Sequence, residues 1–179
     1  MIKITDNFLD TDTFNTLSNE LLMPSFPWYQ STIDAVEHED NKLRNMQFVH
    51  YFYENNVAMD GCNILFPLVK KIDPLAVLRI KANITLQHDT QLKHDFHVDI
   101  TNTTNPSVMV SILYMNTNNG WTEFEDGAKV DSVANRLVTF PNYVKHTSVS
   151  CTDATYRICL LYTSPSPRDL STSRMPSSA

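Results

Sequence analysis

One tripeptide in this chain has the residue types and the spacing of a metal site. His97-Val98-Asp99 places a histidine and an aspartate two residues apart. We expect a β-strand here, and side chains at positions i and i+2 of a strand project from the same face. An imidazole and a carboxylate would then lie side by side and could bind one ion. The third ligand must come from elsewhere in the chain.

His146 is the best candidate for that third ligand. It follows a predicted strand at residues 136–140 and a turn at Pro141-Asn142, so a neighbouring strand of a barrel could bring it to the same ion. Two histidines and one carboxylate on one face of an octahedral ion are typical of non-haem Fe(II) sites, which keep three coordination positions open. The pattern therefore predicts an Fe(II) site.

The tripeptide alone is weak evidence, because the chain contains a second copy of it. His38-Glu39-Asp40 lies in a run of acidic and amide residues that has no strand character. We interpret that copy as a solvated loop. Taken alone, His97 and Asp99 are more easily explained as ordinary polar residues at a strand end, so the remaining pattern has to carry the interpretation.

Arg157 adds a second, independent signal. It lies in the apolar run Tyr156-Arg157-Ile158-Cys159-Leu160-Leu161, and burying a guanidinium there without an anion costs free energy. Arg157 therefore lies at the solvent end of the strand, forms an internal salt bridge, or binds a carboxylate of a ligand with two parallel hydrogen bonds.

The elements that must position these residues fall into two groups. Helical spacing of apolar residues predicts helices within residues 6–22, behind the capping candidates Asp10, Thr11 and Asp12, and within residues 59–72. Strands are predicted at residues 28–33 and 46–53, on either side of an acidic loop at residues 34–41. From residue 75 the pattern changes to short β-rich runs, which lie at residues 75–86, 107–114, 121–124, 136–140 and 156–162.

This order predicts a mainly β protein with flanking N-terminal helices, built as an antiparallel sandwich or barrel. We expect one domain over residues 1–162, in which residues 1–74 support a β core at residues 75–162. Residues 163–179 hold six serines and three prolines and no apolar period, so we expect disorder there. Their start also resembles a non-native read-through ending.

Composition excludes several classes of function. The chain has 179 residues with 42% hydrophobic and 19% charged residues, which argues against wholesale disorder. A net charge of -6 without a basic run disfavours nucleic-acid binding. No signal peptide and no apolar stretch of membrane-spanning length is visible, so we expect a cytoplasmic protein without a membrane partner.

The motifs together resemble the prolyl 4-hydroxylase-like branch of the Fe(II)- and 2-oxoglutarate-dependent dioxygenases. They occur in that family's order over roughly residues 75–162. The matching segments are His97-Val98-Asp99, Ile112-Leu113-Tyr114-Met115-Asn116, Gly120-Trp121-Thr122-Glu123-Phe124, Asn135-Arg136-Leu137-Val138-Thr139-Phe140, His146 and Arg157. The stretch around residues 116–127 is also similar to oxygenase-like proteins of bacteriophages, which would place the protein in a host cytoplasm.

The resemblance implies a double-stranded β-helix, that is, a cupin-like jelly roll. It implies that His97, Asp99 and His146 bind iron, that Arg157 binds the distal carboxylate of 2-oxoglutarate, and that these four residues form the catalytic set. Tyr114 would support the same carboxylate, and Asn83 would contact the cosubstrate. The implied cofactors are Fe(II), 2-oxoglutarate and O2, with ascorbate as reductant.

The implied reaction hydroxylates a substrate C–H bond and releases succinate and CO2. Peptidyl proline is the first substrate candidate, while another protein side chain or a small molecule stays open, as does the oligomeric state. Two alternatives also stay open. One is a cupin-type metalloprotein that acts without 2-oxoglutarate, and the other is a non-catalytic β-barrel with a binding or virion-associated role.

Overall fold

Two helices cover one face of a large sheet. The computed structural model describes residues 1–33, 45–101, 103 and 105–165. Helix α1 (Thr11–Leu22) begins after Asp10, whose side chain accepts a hydrogen bond from the backbone N–H of Thr13. This is the N-cap that the sequence predicts. Among the described residues no helix is long and apolar enough to cross a membrane.

The second predicted helix is divided into two parts. A short 3-10 turn (Cys62–Leu65) leads into helix α2 (Phe66–Ile72), which has a proline in its first turn and ends at Asp73 in a left-handed conformation. The sequence predicts one helix over residues 59–72, and the helix is shorter because the positive φ of Gly61 separates residues 59–61 from it.

The remaining elements are strands arranged in two antiparallel sheets. They are β1 (Lys3–Thr5), β2 (Tyr29–Thr32), β3 (Met46–Glu54), β4 (Val57–Ala58), β5 (Arg79–Leu86), β6 (Val108–Tyr114), β7 (Trp121–Phe124), β8 (Lys129–Asp131), β9 (Leu137–Pro141), β10 (His146–Val149) and β11 (Tyr156–Pro165). The described strands form a large sheet in the order β1-β9-β6-β11-β5-β3-β2, with β4 on β3, and a small sheet in the order β10-β7-β8. The predicted fold class, a mainly β jelly roll, is confirmed.

The large sheet has a different environment on each face. Ile80, Ala82, Ile158, Leu160 and Tyr162 point to the helices and join a core with Leu17, Leu21, Leu65 and Leu68. The alternate residues of the same strands point to the small sheet, where Cys159 and Leu161 pack with Phe124, Val130 and Phe140. The period of two along β5 and β11 thus separates a helix-facing core from the space between the sheets.

The register of β5 and β11 fixes the floor of that space. Arg157 lies opposite Thr85, Cys159 opposite Asn83, and Leu161 opposite Lys81. A shift by one residue would exchange the two faces, so the apolar face against the helices fixes which residues point between the sheets.

Three details of the sequence prediction need correction. His97 and Asp99 do not lie in a regular strand, because His97 forms only an isolated bridge with His146. The sequence analysis missed β10, which His146 begins. Strand β11 continues to Pro165, since Thr163 pairs with both Arg79 and Val110, so residues 163–165 belong to the sheet rather than to a disordered tail. The loop at residues 34–41, with its second His-x-Asp copy, and residues 166–179 lie outside the described residues.

Candidate active site

The structure brings the three predicted metal ligands together. One ligand atom from each of His97, Asp99 and His146 lies within 4.8 Å of the others. The bridge between His97 and His146 holds them, because each backbone N–H donates to the other's carbonyl oxygen over 3.0 Å. The centroids of the two imidazole rings are consequently 4.7 Å apart. The two-residue spacing and this single bridge therefore bring the three ligands together, whereas the sequence analysis expected a full strand to do so.

Both histidines turn the same ring atom toward the backbone. Nδ1 of His97 lies 3.1 Å from the carbonyl oxygen of Asp95, and Nδ1 of His146 lies 3.5 Å from that of Val144. A ring that carries its proton on Nδ1 keeps the lone pair of Nε2 available for a metal ion. Burial lowers the pKa of His146 to about 4, partly opposed by Asp99, so this imidazole is neutral at neutral pH, as a metal ligand must be.

Asp99 is buried and has one unsatisfied oxygen. Its Oδ1 accepts a hydrogen bond of 2.9 Å from Arg79, while Oδ2 has no hydrogen-bond partner and lies 3.5 Å from Nε2 of His146. Burial alone would raise the pKa of Asp99, but the charges of His146, Lys81 and Arg79 outweigh it and hold that pKa below its ordinary value. An ionised, orphaned oxygen beside two imidazoles fits a divalent ion, and two nitrogens with one carboxylate suit Fe(II).

Arg157 is buried, and among the described residues its hydrogen-bond partners are all neutral. Its Nε donates to Ser132 Oγ at 2.7 Å, its Nη1 to Ser148 Oγ at 3.1 Å, and its Nη2 to Thr122 Oγ1 at 3.1 Å. No described carboxylate lies within salt-bridge distance of Arg157. Within the described residues, this excludes the internal salt bridge that the sequence analysis left open. A guanidinium has five N–H donors, so donors remain for a ligand. An uncompensated buried charge of this kind indicates a binding site for an anion.

Gly120 leaves room for Arg157. A Cβ added at Gly120 would lie 2.7 Å from the carbonyl oxygen of Val149 and 3.0 Å from Cδ of Arg157. Both distances are shorter than ordinary contacts, so a larger residue would displace β7 or the arginine. The serines that hold Arg157 were missed by sequence analysis, because Ser132 follows β8, Ser148 lies in β10, and no local pattern marks them.

Tyr114 lies behind this anion site rather than on its surface. The guanidinium carbon of Arg157 is 5.4 Å from the centre of the Tyr114 ring, and the Tyr114 hydroxyl donates to Thr122 Oγ1 over 2.8 Å. Tyr114 does not line the cavity, whereas Thr122 does. Burial raises the pKa of Tyr114 to about 12, so its phenol stays protonated and remains a donor to Thr122.

One cavity of about 180 Å³ connects these groups. His97, Asp99, His146, Arg157 and Asn83 all line it, so the structure brings together every predicted site residue except Tyr114. Asn83 Oδ1 and Thr85 Oγ1 are buried without hydrogen-bond partners, which is expected where a ligand supplies them.

Sequence analysis also missed two cations of the cavity wall. Arg79 and Lys81 precede Asn83 and Thr85 at alternate positions of β5, and all four side chains line the cavity. The signal was present, since a strand places residues 79, 81, 83 and 85 on one face.

Comparisons with known proteins identify the architecture. No protein-family model and no curated protein sequence matches the chain. Among solved structures, a prolyl hydroxylase from Trichoplax adhaerens, in complex with a peptide fragment of the hypoxia inducible factor oxygen degradation domain, matches 92% of this chain and 83% of its own at a TM-score of 0.66 and 15% identity. The chain has the fold of the prolyl hydroxylases.

Two further structures place the fold more broadly among 2-oxoglutarate enzymes. A viral collagen prolyl hydroxylase from Paramecium Bursaria Chlorella virus-1, in its 2-oxoglutarate complex, matches 92% of this chain and 95% of its own at a TM-score of 0.58 and 12% identity. The non-haem α-ketoglutarate-dependent epimerase SnoN of nogalamycin biosynthesis matches 92% of this chain and 78% of its own, at a TM-score of 0.64 and 9% identity. At these identities the similarity establishes the jelly roll, and the chemistry depends on this chain's own residues.

Proposed function

We propose that this protein is an Fe(II)- and 2-oxoglutarate-dependent dioxygenase that hydroxylates a substrate C–H bond, with peptidyl proline as the first substrate candidate. One observation carries the proposal: a His-Asp-His cluster and a buried arginine, which has no carboxylate partner among the described residues, line the same cavity. The fold shared with prolyl hydroxylases supports it. Solved structures with this fold hold 2-oxoglutarate, Fe3+ with α-ketoglutarate, and a peptide as bound molecules.

Each residue has a defined task in this proposal. His97, Asp99 and His146 hold the iron, and the neutral imidazole of His146 and the ionised carboxylate of Asp99 are in the protonation states that metal binding requires. Arg157 binds the distal carboxylate of 2-oxoglutarate, while Ser132, Ser148 and Thr122 fix the orientation of its guanidinium. Because these three hydrogen bonds fix the guanidinium, the cosubstrate is bound by a preorganised site.

When bound, Fe(II) supplies the redox chemistry by which 2-oxoglutarate, O2 and R–H become succinate, CO2 and R–OH. The protein contributes position and protection. Phe124 and Phe140 pack around the His146 ring, with centroids 6.4 Å and 4.7 Å away, and keep water from that side of the cluster.

Two alternatives have less support. A cupin-type metalloprotein that acts without 2-oxoglutarate would not need Arg157 to line the cavity, whereas Arg157 does line the cavity. A non-catalytic binding protein would not need an orphaned, ionised Asp99 oxygen beside two imidazoles.

Succinate formation tests the proposal without knowledge of the substrate. The full chain is incubated in air with Fe(II), ascorbate and 2-oxoglutarate, and succinate is measured beside His146→Ala and Arg157→Ala. We expect slow uncoupled turnover that both variants abolish. His38→Ala is the matched control, because it removes the histidine of the second His-x-Asp copy and should leave turnover unchanged.

Anaerobic binding separates the alternatives if turnover is too slow to detect. Binding of metal and 2-oxoglutarate, with 2-oxoglutarate binding lost in Arg157→Ala, is expected. Metal binding without 2-oxoglutarate would favour the cupin-type alternative, and binding of neither by the folded protein would refute the proposal and favour a non-catalytic role.

A further inference from the structure

The cavity has a second cationic region at the other end of β5 from Arg157. Arg157 lies opposite Thr85 in the register of β11 and β5. Lys81 and Arg79 lie four and six residues before Thr85, which corresponds to about 13 Å and about 20 Å along an extended strand. All of these side chains line the cavity. The two cationic regions are therefore separate parts of one cavity, and a carboxylate bound at Arg157 leaves the second region free.

In the part of the chain that the structure describes, Lys81 has no counter-ion in direct contact. It is partly buried, and no described carboxylate lies within salt-bridge distance of its ammonium group. Burial lowers the pKa of Lys81, and the charge of Arg79 lowers it further. The carboxylates of Asp99 and of Glu54 on β3 oppose this shift. An ammonium group in such a position is stabilised by an anion that enters the cavity.

Asp99 occupies only part of the hydrogen-bonding capacity of Arg79. Its Nη2 donates to Asp99 Oδ1 over 2.9 Å, which accounts for one of the donors of the guanidinium. Tyr51 lies opposite Lys81 on β3, and its side chain also lines the cavity. Lys81, Arg79 and Tyr51 together therefore present an ammonium, a guanidinium and a phenol to the same region.

The charge of the cavity leads to the same conclusion. Its described lining contains three cations, Arg79, Lys81 and Arg157, and one carboxylate, Asp99. A divalent ion at the cluster and a dianionic cosubstrate offset each other. The cavity then keeps an excess of two positive charges, which favours an anionic molecule as the other reactant.

We propose that Lys81, with Arg79 and Tyr51, forms a second anion subsite that binds a carboxylate of the molecule to be hydroxylated. The inference rests on the proposed function, which assigns the Arg157 end to 2-oxoglutarate. The carboxylate belongs either to a free acid or to an acidic side chain of a peptide, and both present the same group to Lys81. The subsite places that carboxylate next to Asp99, and so brings the neighbouring C–H bonds to the metal cluster.

Lys81→Met tests the subsite, because methionine keeps an unbranched chain of similar length and removes the charge. Lys93→Met is the matched control, since Lys93 forms its salt bridge with Glu123 and does not line the cavity. We expect Lys93→Met to keep the metal affinity, the 2-oxoglutarate affinity and the uncoupled succinate formation of the unsubstituted protein, and Lys81→Met to keep its 2-oxoglutarate affinity at a saturating metal concentration.

The probes are two matched pairs of acid and amide. N-acetylproline is compared with N-acetylprolinamide, and a capped Pro-Glu dipeptide with a capped Pro-Gln dipeptide. Binding is measured by ligand-observed NMR on the full chain loaded with Zn(II) and 2-oxoglutarate. We expect at least one acid to bind about tenfold more tightly than its amide, as loss of a charge-assisted hydrogen bond implies, and Lys81→Met to abolish that preference. The pair that shows the preference identifies the source of the carboxylate.

Three results would overturn the subsite. These are the absence of any acid preference in the unsubstituted protein, an acid preference that survives in Lys81→Met, and a weaker 2-oxoglutarate affinity in Lys81→Met, which would assign Lys81 to the cosubstrate. If the protein binds neither Zn(II) nor 2-oxoglutarate, the proposed function fails separately. The same titration of the metal-free protein then decides the subsite: an acid preference that Lys81→Met removes supports it, and no preference refutes it.

Discussion

At the scale of single residues, the site depends on polar groups whose partners come from distant parts of the chain. Arg157 is held by Ser132 and Ser148, and each of these serines contributes one hydroxyl. Neutral acceptors orient a guanidinium without neutralising it. The arginine thereby keeps its charge for a ligand, whereas a carboxylate in the same position would compete with that ligand.

Ser132→Ala should separate this orienting role from stability. The substitution leaves the buried Nε of Arg157 without an acceptor, which costs about 1–3 kcal/mol of the free energy of unfolding. We also expect the KM for 2-oxoglutarate in uncoupled turnover to rise about tenfold with a smaller change in kcat, because the guanidinium loses its orientation.

Ser111→Ala is the control for that measurement. Ser111 is also a buried serine, and its hydroxyl shares a hydrogen bond of 2.8 Å with Thr139, away from the cavity. It should lower stability without changing the KM. An unchanged KM in Ser132→Ala would show that Ser132 has only a structural role.

At the scale of elements, Asn135 connects the N-terminal segment to the sheets. Its Oδ1 accepts from the backbone N–H of Leu9 and its Nδ2 donates to the Leu9 carbonyl oxygen, both over 2.8 Å. Its backbone has a φ of 61°, which favours asparagine or glycine. One side chain therefore fixes the segment that leads into α1 against the turn before β9.

Asn135→Ala should lower the free energy of unfolding by about 2–4 kcal/mol, because it removes two buried hydrogen bonds and strains the left-handed backbone. Asn135→Gly should cost less, since it removes the hydrogen bonds but accepts the positive φ. Urea denaturation of both variants measures the difference. Equal losses would mean that the backbone conformation contributes nothing.

The sequence predicts the long elements well and the short ones poorly. Strands β3, β5, β6 and β11 bury one face against the helices and carry a clear apolar pattern. Strands β1, β8 and β10 have three or four residues each, and β10 reads His-Thr-Ser-Val, which has no such pattern. β1 pairs with β9 and β10 pairs with β7, both distant along the chain, and a local window does not contain this information.

The site residues also divide into those that the sequence predicts and those that it does not. His97, Asp99, His146 and Arg157 could be predicted because their residue types are unusual at their positions. The hydroxyls around Arg157 could not, since serine and threonine are common and only the register brings them together. Lys81 and Arg79 could have been found by extending the two-residue period back from Asn83.

At the scale of the whole molecule, the end of β11 tests where the folded domain stops. Thr163 and Ser164 are buried, and Thr163 pairs with Arg79 on one side and Val110 on the other. A chain that stops after Tyr162 loses these pairs. We expect its free energy of unfolding to fall by about 2–4 kcal/mol, at about 1 kcal/mol for each hydrogen bond lost.

A chain that stops after Pro165 is the matched comparison. It keeps every described residue, and it should have the same urea midpoint as the full chain if residues 166–179 are disordered, as their composition predicts. A lower midpoint for this chain would show that residues 166–179 contribute to the fold.

The central place of β11 has a consequence for the order of folding during synthesis. Within the large sheet, β1, β9 and β6 form one group and β5, β3 and β2 form another, and β11 alone pairs with both. It is also the last described strand to leave the ribosome. Until it emerges, each group exposes an unpaired edge, so the nascent chain is most vulnerable to aggregation before residues 156–165 leave the ribosome. Chaperone demand should therefore depend on how fast the part of the message that encodes β11 is translated.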